Sequence, residues 1–129
     1  MNIKELKGMK TKRVYESTFD GNECIVFETD NDDVYILGHF QECCESVNID
    51  DICGDLRDLE GVKIWGAEET SNGTEDEWGG VSTWTFYHVR SIKGTVTIRF
   101  YGHSNGYYST KADFFKCDNA YFYKLKLKN

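Results

Sequence analysis

The plainest pattern in the chain is a period of two. Between residues 95 and 100, Val96, Ile98 and Phe100 alternate with Thr97 and Arg99. Successive side chains of a strand point to opposite faces, so this alternation predicts a β-strand with one buried and one wet face. Residues 81–92 and 94–101 read as two such strands turning at Lys93-Gly94. Residues 10–18 predict a first strand of mixed polarity. Residues 23–29 are apolar and β-branched, and Val34-Tyr35-Ile36-Leu37 answers them. Between these segments lie Phe19-Asp20-Gly21-Asn22 and Asp30-Asn31-Asp32-Asp33, rich in residues that accept turn geometry. Residues 62–70 and 107–115 predict further strands, and the Gly, Asn and Glu-rich stretch 71–80 reads as a loop. In the tail, 120–129, Leu125 and Leu127 alternate with Lys124, Lys126 and Lys128, an edge-strand pattern whose lysines discourage further pairing.

One segment departs from this period. Ile49, Ile52, Leu56 and Leu59 are spaced three, four and three apart, which puts them on one face of a short helix. Asn48 or Asp50 supplies its cap and Gly61 its end. The expected fold is therefore α+β. A single domain over residues 1–129 carries an antiparallel meander of about six or seven strands, with one short helical insert around a Cys/His cluster.

Composition sharpens this picture in two ways. At 129 residues with 15% aromatic side chains, the chain has ample core material for one domain. It has no apolar run of about 18 residues that could span a bilayer, and its start lacks the apolar region of a secretory signal. The expected setting is the cytoplasm. There, five cysteines, an odd count that includes the adjacent pair Cys43-Cys44, read as free thiols or metal ligands rather than disulfides.

Net charge is −7, unevenly spread: residues 20–77 hold 18 Asp and Glu against only Arg57 and Lys63. Such a block repels nucleic-acid phosphates and attracts a basic protein surface. Asp30, Asp32, Asp33, Asp51, Asp55 and Asp58 are the candidate contact residues, although a solvated face explains them equally well.

His39, Cys43, Cys44 and Cys53 fall within fifteen residues, and Cys₃His is a recognised structural zinc set. On a helical turn His39 and Cys43 share a face, and Cys53 near the following helix start would favour the thiolate. Adjacent Cys43 and Cys44 diverge in regular structure, so joint binding needs an irregular backbone. If only one of them binds, His103, Cys117, Cys24 or His88 fills the vacancy, His103 being the best placed. Beside this stands the reading of three small buried apolar groups.

His39-x-x-x-Cys43-Cys44-Glu45, continued by Asp51-Ile52-Cys53-Gly54-Asp55-Leu56, resembles a family of small phage and prophage proteins, as do the strings around Thr83-Trp84-Thr85-Phe86-Tyr87 and Ser104-Asn105-Gly106-Tyr107. The resemblance extends from about residue 10 to residue 114. It implies a structural zinc ion on His39, Cys43, Cys44 and Cys53, with His103 outside the ligand set, and it carries no enzyme activity to transfer. It also implies a functional class: a phage-encoded inhibitor of a host defence nuclease, akin to the zinc-containing type II-A anti-CRISPR proteins. Such a protein would bind a Cas9-type effector stoichiometrically through its acidic surface, without touching nucleic acid or membrane. Two alternatives are a metal-binding phage accessory or structural protein and a zinc hydrolase using Glu42 or Glu45. Four protein ligands would close the open position that zinc catalysis needs.

Overall fold

The computed structural model describes residues 2–19, 21–39, 45–75, 77–105 and 110–117, together with the backbone of residues 125–127. Among these, nine strands occur: β1 (Thr11–Phe19), β2 (Asn22–Thr29), β3 (Val34–Gly38), β4 (Ser46–Cys53), β5 (Ile64–Glu75), β6 (Val81–Ser91), β7 (Gly94–Ser104), β8 (Asp113–Cys117) and β9 (Leu125–Leu127). They form two sheets, ordered β8-β3-β2-β1-β9 and β4-β7-β6-β5. All the pairings are antiparallel. No described helix is long and apolar enough to cross a membrane.

The two sheets share one core. Val14, Ile25, Phe27, Tyr35 and Leu37 of the first sheet belong to the same buried cluster as Tyr87, Val89, Val96, Ile98 and Phe100 of the second. In β6 and β7 every second residue is buried, which is the alternation legible at 95–100. β2 is buried on both faces: Ile25 and Phe27 enter the shared core, while Cys24 and Val26 join a second cluster with Phe19, Ile36 and Cys117. A strand enclosed on both sides reads as a continuous apolar run, and residues 24–27 are one. Tyr87 lies edge-on to Phe100 and donates its hydroxyl to the Ala112 carbonyl, 3.3 Å away. Burial, reinforced by Glu69, raises the Tyr87 phenol well above its ordinary range, so it stays protonated.

The fold is all-β rather than α+β, and the expected helical insert is absent from the described residues. Its place is taken by β4 and a 3-10 turn at Leu56–Leu59. A bulge explains the misleading spacing. Ile49 pairs with Phe100 and Asp51 with Arg99, so Asp50 is an extra residue in the ladder. After it the phase flips, and Ile52 returns to the core side opposite Ile98. Ile49 and Ile52 thus share a face at a spacing of three without any helical turn. Leu56 and Leu59 share theirs because a 3-10 helix has about three residues per turn. Asp55 caps that turn by accepting from the Arg57 amide at 2.9 Å, and Leu59 is fully buried.

Two further boundaries differ from expectation. The 71–80 stretch is not a loop throughout, because β5 continues to Glu75 paired with β6. The segment expected as a strand at 107–115 begins only at Asp113, and residues 106–109 lie outside the described part. The tail does supply an edge strand, β9, which pairs with β1 through Ser17–Leu127, Thr18–Lys126 and Phe19–Leu125.

Gly102 in β7 lies against the residues that lead into β8. A Cβ there would stand 2.9 Å from the Thr110 Cβ and nearer still to the Thr110 carbonyl oxygen. Gly102→Ala should therefore destabilise the fold by about 1–3 kcal/mol, seen as a lower urea midpoint with unchanged slope. Gly73→Ala, where the nearest neighbour would be 3.6 Å away, should leave the midpoint almost unmoved.

Candidate functional site

The chain leaves the first sheet after β3 and enters the second at β4, and the two residues flanking that crossover face each other. His39 and Glu45 have 3% and 0% side-chain exposure, with Nε2 and Oε1 3.6 Å apart. His39 Nδ1 lies 2.8 Å from the Lys111 carbonyl oxygen, on the segment that returns from β7 toward β8. Both passages between the sheets therefore meet at this imidazole. Nε2 is buried and has no hydrogen-bond partner.

The other sequence-assigned ligands fall elsewhere. Cys43 and Cys44 lie outside the described residues. Cys53 is exposed at the far end of β4, paired with Thr97. An extended strand rises about 3.3 Å per residue, so β4, even with its bulge, places Cys53 roughly 23 Å from Glu45. The structure does not bring Cys53 to His39. Of the reserves, His103 is exposed opposite Ser46. His88 bonds Thr70 through Nε2 at 3.2 Å and Thr97 through Nδ1 at 3.1 Å. Cys24 and Cys117 are buried in the second cluster. Among the described residues no group of three or more His, Cys, Asp or Glu side chains converges to hold a metal ion. Glu45, which closes the His39-x-x-x-Cys43-Cys44-Glu45 string, is the residue found beside His39 that the sequence reading had not grouped with it.

The surface charge is also redistributed. All three aspartates of the β2–β3 turn are matched by lysines: Asp30 by Lys10 at 3.6 Å, Asp32 by Lys12 at 2.5 Å and Asp33 by Lys116 at 3.3 Å. The hydrogen bond and charge of Lys12 draw the Asp32 carboxyl below its usual range, and Asp32 in turn raises Lys12. Asp55 is occupied as a cap, and Asp50 holds Arg99 at 2.6 Å. These are solvated, locally balanced charges.

Three exposed acids, Glu69, Glu75 and Glu77, lie on the β5–β6 hairpin. β5 is the edge of its sheet, and residues 69–75 and 77–79 are exposed at every position. Residues 64–89 contain Glu68, Glu69, Glu75, Asp76 and Glu77 and no Lys or Arg. Glu68 bonds Arg90, while Trp78 at the turn is 91% exposed. This hairpin and the His39–Glu45 pair occupy the same end of the second sheet. Ser46 pairs with His103, His103 with Ser82 and Ser82 with Thr74, one row across all four strands.

A family model matches residues 4–114, from the first 3-10 turn into β8. The chain belongs to the DUF7448 family, a domain of unknown function. No curated protein and no solved structure matches it. The DUF7448 match takes in His39, Glu45, Cys53 and the whole β5–β6 hairpin, and it stops short of Cys117 and β9.

Cysteine accessibility follows from these positions. In the native DUF7448 chain Cys53 should react with an alkylating reagent within minutes, while Cys24 and Cys117, at 1% and 6% exposure, should react only with unfolding. Peptide mapping after timed labelling checks this, and protection of Cys53 in the folded protein would contradict its placement.

Proposed function

We propose that this DUF7448 protein acts by stoichiometric binding to a protein partner through the acidic β5–β6 hairpin. The partner is a host CRISPR effector of the Cas9 type, and the protein is a phage-encoded inhibitor of it. The observation carrying this reading is an exposed edge strand and turn that present Glu69, Glu75 and Glu77, with no Lys or Arg in residues 64–89. A nuclease that grips nucleic acid through Lys and Arg presents a complementary surface, and such complementarity speeds encounter and fixes orientation. Edge strands are ordinarily blunted by lysine or proline. Residues 66–75 of β5 have neither, which leaves an edge open to pairing with an extended segment of the partner.

The similarity of the His39 to Leu56 strings to phage and prophage proteins supports the defence-inhibitor class. The charge on the outer face of the second sheet favours a protein over nucleic acid. Trp84, Phe86 and Tyr101 are half-buried there, but Arg90 is matched by Glu68 and Arg99 by Asp50, which leaves no free cation row for phosphate among the described residues of that face. In this reading zinc is structural. It fastens the crossover between the sheets and adds folding free energy rather than chemistry.

Titrating the purified protein into a Cas9–guide complex should abolish plasmid cleavage near one equivalent. Reversing two hairpin charges, Glu75→Lys with Glu77→Lys, should raise the inhibitory concentration about tenfold or more, mostly through slower association, without altering the melting temperature. Full cleavage in the presence of molar excess, with no complex on gel filtration for any Cas9 tested, would reject the reading.

A further inference from the structure

His39 is fixed with one ring nitrogen committed. Nδ1 faces the Lys111 carbonyl oxygen at 2.8 Å, and a carbonyl has no proton to give, so Nδ1–H donates. In the neutral ring Nε2 is then a bare lone pair. It is buried without a hydrogen-bond partner and faces Glu45 Oε1 at 3.6 Å. An imidazole lone pair and a carboxylate oxygen repel, and 3.6 Å is too long for a hydrogen bond. Something positive belongs between them. A shared proton would draw the two atoms in to about 2.7–2.9 Å. A divalent ion bonded to both at about 2.0–2.1 Å with tetrahedral angles would hold them roughly 3.3–3.4 Å apart, closer to the spacing found. The Nδ1–carbonyl bond is the outer contact that metal-bound imidazoles commonly make, because it fixes the ring and its tautomer.

We propose that His39 Nε2 and Glu45 Oε1 are two ligands of one divalent ion of the zinc class, and that Glu45 takes the place the sequence assigned to Cys53. Imidazole with carboxylate favours zinc and its first-row neighbours over magnesium or calcium. The ion would join the last residue before the crossover to the first residue after it, clamping one sheet to the other. Cys43 and Cys44 lie between them in sequence and are given no position. This assignment rests on the structural-zinc reading above and is independent of the partner.

The test measures zinc by elemental analysis after gel filtration, with chelator competition, in the wild-type full chain and in Glu45→Gln, His39→Ala and Cys53→Ser. Expected are about one equivalent in wild type and Cys53→Ser, and affinity at least about tenfold weaker in Glu45→Gln and His39→Ala. Zinc-edge X-ray absorption of the wild-type protein should show a carboxylate oxygen beside imidazole nitrogen in the first shell, a result that does not depend on any variant folding. Wild type without bound metal overturns both this assignment and the structural-zinc reading, leaving a proton between the two groups. Zinc in wild type that survives Glu45→Gln undiminished, that is lost in Cys53→Ser, or that shows no carboxylate oxygen overturns the Glu45 assignment alone.

Discussion

The positions of the candidate-site residues depend on the closure of two antiparallel sheets over one apolar core. The inner faces of β1–β3 and of β5–β7 supply it jointly, and neither sheet could bury its apolar side alone. Once the sheets are closed, the chain must pass between them, and each passage leaves backbone groups at the rim that need partners. One such group, the Lys111 carbonyl, is met by the His39 ring. The crossover is therefore tied down by a polar side chain driven into a buried place, and a buried polar side chain needs its own partners satisfied. Glu45 is brought to that imidazole by the same constraint. Val47 and Ile49 must face the core from β4, so the strand's start is drawn in against the end of β3.

The sequence was informative wherever a strand has one buried and one exposed face. β6 and β7 show it as clean alternation, and β2, enclosed on both sides, shows it as an unbroken apolar run. It misled where that condition fails. In β4 the extra residue Asp50 converts a period of two into a spacing of three, indistinguishable by eye from a helical face. In the outer half of β5 both faces are wet, so there is no period at all, and a paired strand looks like a loop.

The strand in place of a helix also changes where Cys53 lies relative to His39. A helix advances about 1.5 Å per residue and a strand about 3.3 Å. Read as a helix, residues 48–59 keep Cys53 within reach of His39. Drawn out as β4, they carry it to the opposite end of the sheet. Proximity in sequence is a sound guide to a shared ion only when the intervening chain is compact. Of the two explanations for the acidic run, the locally balanced, solvated face is the one the structure shows for Asp30, Asp32 and Asp33. A run such as Asp30, Asp32 and Asp33 is acidic along the chain, but β1 and β8 flank it in space and bring Lys10, Lys12 and Lys116 to it.

These two corrections converge on one end of the molecule. The row Ser46, His103, Ser82 and Thr74 crosses the second sheet from the crossover to the acidic hairpin, four strands at about 4.8 Å spacing, or roughly 14 Å in all. Along that row the hairpin's own support thins out, since β5 is an edge strand exposed on both faces beyond Ala67 to Glu69. An exposed edge with few buried contacts opens easily, and local openings of this kind set the entropy that a partner must remove on binding. A clamp at Glu45 would act on the strand at the other side of the same row. It would hold β4 against β7, and β7 positions β6, with which β5 pairs from Ile64 to Glu75. Fastening the crossover would in this way stiffen the end of the sheet that presents the acids. On the proposed reading, an ion about 14 Å from the hairpin would bear on affinity for a partner without touching it.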